Sequence, residues 1–396
     1  STQGYSSAAS DVYKRQLSEI PEPKQTSYSY SAITNEHIKN LYAQIENECQ
    51  KPVPAEIQCT GTLTQKDIYE AIIAFKNDHP DIFWIKNTFS YYDYDGSTYV
   101  ELFYISSGTT LETQKEKFNE ALNDFVNNAT MYSSEYEREK YVNDYIIANC
   151  VYDDEAAYNN NTKGNVSNAY GVLVDGKAIC EGYARAFQLL CNKLGIECVS
   201  IAGMTGDVGH EWNCAKIDGN WYQVDVTWND SEDEFSNYYY FNLTDEQMYS
   251  SHRADDLFDE IEPDNYNNDE NLIGNLYVPE CNSTEYNYYN QTAPILYAFD
   301  EENDNTISNA LANSAVNGDN YFNIIVDDSL DFEDAYSTLV QDGYVVNYIE
   351  SANNMLWGEV ELDTSSYAYK NDTLRVITIV SVSYTHLRAH ETTLHL

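Results

Sequence analysis

Residues 170–230 constrain the fold of this chain more than any other stretch, because they join a cysteine at a helix start to strands that carry a histidine and an aspartate. After Cys180, apolar residues recur at three- and four-residue spacing, which predicts a helix that ends at Gly195. Cys180 therefore lies at a helix N-terminus. Unpaired backbone N–H groups and the positive end of the helix dipole favour a thiolate there.

The strands that follow this helix predict a hairpin with a defined register. Residues 218–219 are Asp-Gly, a strong signal for a two-residue turn. With that turn, Trp212 pairs with Asp225, and His210 lies diagonally from Asp225 on the same face. The carboxylate can then orient the imidazole, and the imidazole can take the thiol proton of Cys180. The pattern predicts nucleophilic catalysis by a cysteine.

Three separated motifs carry these residues in order: GKAICEGYA around Cys180, HEWN from His210, and DGNWYQVDVTW through Asp225. Together they resemble the bacterial branch of the transglutaminase-like superfamily, over residues 131–262. The resemblance implies a papain-like α+β core in which these three residues form the catalytic triad. The chain departs from the family at Glu211, where a small residue is more common, and the added charge is expected to affect substrate choice.

Three aromatic residues are candidates for the surroundings of the site. Tyr170 is a candidate for the oxyanion pocket, beside the backbone N–H of the catalytic cysteine. Trp212 and Trp228 are expected to form core or cleft wall and to take no part in the chemistry. His252 is a rival to His210, but its polar stretch lacks a strand pattern, so His210 is preferred.

Composition limits the classes of partner. The chain has 396 residues, 42% of them hydrophobic, and a formal net charge of −44, so it can bury large cores and should repel nucleic acid and anionic membranes. It contains no apolar run of about 18 residues that could span a membrane. The eight cysteines are irregularly spaced without a CxxC pair, so we expect no metal and no cofactor. Whether Cys49 and Cys59 form a disulfide stays open.

The remaining sequence predicts flanking domains around the catalytic core. The predicted segments are a leader (1–30), an N-terminal α+β domain (31–130), the catalytic domain (131–262), a linker (263–293), a C-terminal α/β domain (294–380) and a tail (381–396). Parts of the leader and the tail resemble translated adapter sequence, so the tail histidines are not counted as a metal site. In the C-terminal domain, alternating strands and helices predict a small α/β sandwich, with residues 344–350 as one strand. A ferredoxin-like strand order is one option for it.

These observations predict a cysteine hydrolase or acyltransferase that acts on peptide or protein amides, including those of cell-wall or surface proteins. Transfer of the acyl group to water gives proteolysis, which is favoured because water is always present; transfer to an amine gives a protein cross-link. Two alternatives are a cell-surface binding module that retains the fold, which an intact triad disfavours, and acyl transfer from a thioester cofactor, which the third motif fits less well.

An extracellular or cell-surface location is expected. Tyrosine occurs 37 times and is interleaved with Asn, Asp and Ser, as in exported proteins. No signal peptide is visible, and the chain begins at Ser1 without Met. The oligomeric state is left open.

Overall fold

The computed structural model describes residues 27–51, 55–59, 61–159, 163–256, 274–356, 360–380 and 383–385. The fold is α+β, as predicted. The described residues form two compact units. The first contains those up to Ser231 together with Tyr240–Ser283, and the second contains Glu232–Tyr239 together with those from Thr284 onward.

The predicted boundary after residue 130 lies inside the first unit, so a separate domain at 31–130 stays a prediction. The linker at 263–293 also stays a prediction, because its residues 263–273 lie outside the described part of the chain. Most of the predicted leader also lies outside the described residues, as do the histidines of the tail.

The first unit contains the candidate site. Its helices are α1 Tyr28–Ala32, α2 Glu36–Cys49, α3 Gln65–Asp78, α4 Gly108–Asn128, α5 Glu135–Asn149, α6 Asp154–Tyr158, α7 Cys180–Lys193, α8 Val226–Asn229 and α9 Asp245–Met248. Its strands are β1 Ile57–Gln58, β2 Ile85–Tyr94, β3 Ser97–Tyr104, β4 Val151–Tyr152, β5 Lys177–Ala178, β6 Glu197–Thr205, β7 Val208–Ile217, β8 Asn220–Val224 and β9 His252–Ala254. A π-helical turn lies at Gly171–Asp175.

Local sequence signals explain several of these starts and turns. Thr64 and Ser134 each form a capping box with the acidic residue three positions later, which satisfies backbone N–H groups at the starts of α3 and α5. The predicted hairpin at residues 95–96 joins β2 to β3. Both turn residues have positive φ, as an Asp-Gly turn of this kind requires.

A four-stranded antiparallel sheet in the order β8-β7-β6-β9 supports the candidate site. Helix α7 packs against β6 and β7, and residues 181–192 of this helix are buried. Asn213 pairs with Val224, so the predicted hairpin register is confirmed. The prediction that Asp225 lies on a strand is wrong, because β8 ends one residue earlier and Asp225 instead caps α8.

Strand β9 reaches the edge of this sheet because Gly203 on β6 has no side chain. A Cβ at Gly203 would lie 2.1 Å from the backbone oxygen of Arg253 and 2.7 Å from the Trp212 ring. Only glycine permits this approach. It sets β9 beside β6, with Thr205 paired to His252.

The second unit is built around a sheet in the order β10-β11-β14-β13, with its core between this sheet and the helices. Its strands are β10 Ile295–Leu296, β11 Tyr321–Val326, β12 Val360–Leu362, β13 Tyr367–Asn371, β14 Val376–Val380 and β15 Ser383–Thr385. Its helices are α10 Tyr288–Thr292, α11 Glu301–Asn317, α12 Phe332–Tyr336 and α13 Val345–Met355. A π-helical turn, Ser337–Gln341, follows α12.

Two predictions for this unit are wrong. Residues 344–350 were predicted as a strand, but they begin α13, because Val345, Tyr348, Ile349 and Ala352 recur at helical spacing and are buried together. A ferredoxin-like order is also excluded. There the parallel strands are split by another strand, whereas β10 and β11 are parallel neighbours.

Among the described residues, no helix combines the length and the apolar character needed to cross a membrane. All eight cysteines lie in the described part of the chain and are free thiols, including Cys49 and Cys59.

Candidate active site

Three predicted residues meet at the N-terminal end of α7. His210 Nε2 lies 2.7 Å from Asp225 Oδ2, and both side chains are buried. The Cys180 side chain lies close enough to the His210 ring to help raise the pKa of His210. Because Nε2 faces the carboxylate, Nδ1 is the ring nitrogen left to face the sulfur. The order is thiol, imidazole, carboxylate.

Electrostatics favour an imidazolium at His210. Burial by itself lowers the pKa of His210, but the charge and hydrogen bond of Asp225 outweigh it and raise that pKa to about 10. Burial likewise works to raise the pKa of Asp225, but the two histidines hold that pKa well below its ordinary value. Asp225 is therefore ionised throughout the physiological range.

The Asp225 carboxylate is fixed by four hydrogen bonds. Its Oδ1 accepts from the backbone N–H of Thr227 at 3.0 Å and of Trp228 at 3.2 Å, which caps α8. Its Oδ2 faces His210 and His252. The backbone N–H of Asp225 donates to the carbonyl of Tyr240 at 2.9 Å. Capping thus sets the orientation in which the carboxylate meets the imidazole.

His252 is a second histidine at this carboxylate, which the sequence reasoning placed outside the site. Its Nε2 lies 3.0 Å from Asp225 Oδ2, and its Nδ1 lies 2.8 Å from the hydroxyl of Ser251. The expectation that His252 lacks a strand context is wrong, since it begins β9. The strand has only three residues, too few for a periodic pattern, so no local signal places it in the sheet β8-β7-β6-β9.

Aromatic rings enclose the two histidines. Trp212 is buried, its ring is stacked near His210, and its Nε1–H donates to Gln223 Oε1 at 2.7 Å. Trp228 is 37% exposed, and its ring centroid lies 4.6 Å from that of His252 and 5.9 Å from that of His210. Trp212 thus lies in the core, and Trp228 covers the histidines on the solvent side.

Cys180 differs from the other cysteines in exposure. It is partly exposed, whereas the other seven are buried. Burial raises the pKa of Cys49 to about 12 and the pKa values of Cys59 and Cys150 to about 11. Those thiols are poor nucleophiles at neutral pH.

Tyr152 reaches Cys180 from β4, a contact that the sequence reasoning missed. The parallel pairing of Tyr152 with Ala178 on β5 brings it beside the start of α7. Its hydroxyl lies close to the backbone N–H of Cys180. Burial, together with the charge of Cys180, raises the pKa of Tyr152 to about 12, so it carries its proton at neutral pH.

Two other residues singled out by the sequence lie in different surroundings. The ring of Tyr170 packs against Phe83, with centroids 4.8 Å apart, and near Phe118, so its role in an oxyanion pocket stays a prediction. Glu211 forms a buried ion pair with Arg185 at 3.0 Å. Neighbouring residues on a strand point to opposite faces, so Glu211 and His210 face different sides of the sheet.

The described residues contain one group of metal-ligating type. His210, Asp225 and His252 each offer a ligand atom, and these atoms lie within 4.8 Å of one another. Two imidazoles and a carboxylate are suitable ligands for zinc. Both Nε2 atoms, however, already hydrogen-bond the same carboxylate oxygen, so a metal would have to replace the contacts that orient His210.

Comparison with known proteins gives a family match over the segment that contains these residues. Residues 123–226 match the family model described as the transglutaminase-like superfamily. This segment belongs to that superfamily. The match contains Cys180, His210 and Asp225, and it ends before His252.

Two curated relatives carry the same name. The kyphoscoliosis peptidase of Mus musculus is 28% identical over 167 residues, which are 39% of this chain and 24% of that protein. The kyphoscoliosis peptidase of Homo sapiens is 30% identical over 69 residues, which are 14% of this chain and 10% of that protein. The chain thus spans a quarter or less of the length of these relatives.

A solved structure described as a TGase is 17% identical and covers 55% of this chain and 57% of that one, with a TM-score of 0.25. A score this low gives no support for a shared overall fold. The family assignment rests on the sequence match.

Proposed function

We propose that this protein is a cysteine enzyme that cleaves peptide or protein amides through a thioester intermediate. The observation that carries the proposal is the position of His210, hydrogen-bonded to Asp225 at 2.7 Å and close to the Cys180 side chain. This is the arrangement that activates a cysteine nucleophile. The transglutaminase-like match over residues 123–226 supports it.

The first half-reaction forms the acyl-enzyme. His210 holds the proton taken from Cys180, and the thiolate attacks the amide carbonyl carbon to form a C–S bond. As the C–N bond of the tetrahedral intermediate breaks, the imidazolium gives its proton to the leaving nitrogen, which departs as an amine. Asp225 keeps the imidazole oriented and stabilises its positive charge.

The oxyanion of the tetrahedral intermediate needs hydrogen-bond donors next to the sulfur. The backbone N–H of Cys180 and the hydroxyl of Tyr152 are adjacent to each other at the start of α7. Both carry a proton at neutral pH. We assign these two groups to the oxyanion, because donors fixed before the reaction stabilise the developing charge without reorganisation.

The second half-reaction decides between a hydrolase and an acyltransferase. In hydrolysis, neutral His210 takes a proton from water, and the hydroxide oxygen attacks the thioester carbon. As the C–S bond breaks, the imidazolium returns this proton to the sulfur, leaving the thiol and a carboxylic acid that ionises in water. We favour hydrolysis because water is always present, and because both curated relatives are named peptidases. An amine acceptor, giving a protein cross-link, is the second candidate. An extracellular or surface location remains a proposal.

The experiment is to incubate the protein with casein, with and without a fluorescent primary amine. Hydrolysis predicts new peptide N-termini in both samples, whereas transamidation predicts amine-labelled casein. Cys180→Ala should abolish either product, with Cys191→Ala as the matched control, since Cys191 is buried in the same helix. If wild-type protein yields neither product and binds casein unchanged, the binding-module alternative is favoured.

A further inference from the structure

A cavity of about 330 Å³ lies in the first unit, separate from the triad. It is bounded by the end of α3, the start of β2, residues 163–168 and the first turns of α7. The volume is within the range of small-molecule sites. Cys180, His210 and Asp225 do not line it.

The charge of this cavity is opposite to that of the chain. Four cationic side chains line it, from Lys76, Lys86, Lys163 and Arg185, against the one carboxylate of Glu181. The whole chain has only 21 Lys and Arg against 65 Asp and Glu. Cations gathered in this way, in a chain that otherwise repels anions, create a local site that attracts them.

The inner wall of the cavity is held by buried charges. Arg185 pairs with Glu211 at 3.0 Å and donates to the backbone oxygen of Lys76 and to Asn77 Oδ1. Lys76 lies 3.8 Å from Glu181. These contacts fix Arg185 and Lys76 in place, so the wall is organised before any ligand binds. Glu211, the residue that departs from the family pattern, thus holds a residue of the cavity wall through its ion pair with Arg185.

The outer side carries cations that local structure directs to the cavity. The pairing of β2 with β3 shifts register between Ile85 and Phe89, and Lys86 lies in this irregular stretch. Such bulges re-aim side chains. Lys86 and Lys163 are exposed, and both line the cavity.

Ser167 adds a buried hydroxyl whose hydrogen bonding is unsatisfied among the described residues. Its hydroxyl oxygen is buried and has no hydrogen-bond partner among the described residues, and Ser167 lines the cavity. Leaving a buried hydroxyl unpaired is unfavourable. A ligand oxygen in the cavity would satisfy it.

We propose that this cavity binds a small anion bearing carboxylate or phosphate groups, held by Lys86, Lys163 and the hydroxyl of Ser167. Arg185 and Lys76, each next to a carboxylate, form the ordered wall behind the ligand. The proposal concerns binding and does not depend on the proposed catalytic function.

The test is calorimetric titration of the full chain with inorganic phosphate and, separately, with succinate, at constant ionic strength set with chloride. Constant ionic strength is needed because added salt screens surface charge. Saturable binding of at least one probe, with a Kd below about 10 mM, is expected. The two probes distinguish a phosphate ligand from a carboxylate ligand.

Variants locate the binding. Lys86→Gln combined with Lys163→Gln should weaken binding by about tenfold or more, and Ser167→Ala by a smaller factor. Lys117→Gln is the control, because Lys117 is exposed on α4 and does not line the cavity. Thermal unfolding of each variant confirms that it is folded.

The proposal is overturned if neither probe binds saturably, or if the double variant binds as tightly as wild type. It is also overturned if Lys117→Gln weakens binding as much as the double variant, since the protein would then attract anions without a site.

Discussion

His210 and His252 share one carboxylate oxygen: Asp225 Oδ2 lies 2.7 Å from Nε2 of the first and 3.0 Å from Nε2 of the second. Of the two rings, it is His210 that lies beside the Cys180 side chain. The two histidines therefore have different roles. We propose that His210 exchanges the proton and that His252 positions the carboxylate.

Replacing each histidine should separate these roles. His210→Ala should abolish turnover and leave the melting temperature within a few degrees of wild type. His252→Gln should reduce kcat by about tenfold, because a less firmly held Asp225 orients the imidazole less well. The measurements are kcat and KM for both variants. Equal loss of activity in the two would contradict the division of roles.

Asp225→Asn tests the double function of the carboxylate. An amide has one oxygen, so it can accept from the α8 N–H groups or from the histidines, but not from both. We expect acylation to slow by about 10³- to 10⁴-fold, with substrate binding nearly intact. Single-turnover kinetics would measure the acylation rate of Asp225→Asn. Titration of substrate into Cys180→Ala proteins with and without Asp225→Asn would measure substrate binding. A change confined to KM would refute the orienting role.

Cys180 should be the most reactive of the eight thiols, because it is partly exposed and lies beside His210, while the others are buried. The pKa of His210 is raised to about 10, so its imidazolium form persists at neutral pH and is lost as the pH rises through about 10. Alkylation followed by mass spectrometry, repeated across pH, would identify the site. Faster labelling of another cysteine in folded protein would rule out the assignment.

Tyr152→Phe tests the oxyanion assignment. Loss of one donor should lower kcat by about 10²-fold and change KM much less, since the hydroxyl acts on the developing oxyanion. Tyr158→Phe is the matched control, because Tyr158 lies nearby in sequence and is 90% exposed. If both variants retain full kcat, Tyr152 has no part in the transition state.

Because Glu139 is buried, the stability of the protein should depend on pH. Glu139 is fully buried, its Oε2 accepts from Asn242 Nδ2 at 2.7 Å, and burial raises its pKa from 4.5 to about 8. The folded protein therefore keeps a proton that the unfolded chain releases. Stability should fall as the pH rises between these two values, by up to about 1.4 kcal/mol per pH unit.

Glu139→Gln has no carboxyl group to ionise at this position, so its stability should not fall with pH in this way. Urea unfolding of wild type and variant across the same pH range would measure the difference. Glu120→Gln, at an exposed position of α4, serves as the control. A difference between wild type and Glu139→Gln that does not grow with pH would show that Glu139 is ionised in the folded protein.

The sequence by itself determined the features that depend on short stretches of chain. The Asp-Gly turn at 218–219 set the hairpin register, Ser134 and Glu137 set the start of α5, and the periodicity after Cys180 set α7. Turn conformation, capping and helical periodicity involve residues a few positions apart, so their signals are local. That Cys180, His210 and Asp225 lie close together was predictable for this reason, together with the family resemblance.

Only the tertiary structure decided what joins these elements from a distance. His252 reaches Asp225 because Gly203 lets β9 approach β6, and Tyr152 reaches Cys180 through the pairing of β4 with β5. Likewise, the cations of the cavity come from separate elements of the first unit. Strands of two or three residues carry no periodic pattern, and their neighbours are chosen by packing across the whole unit, which no short stretch of sequence encodes.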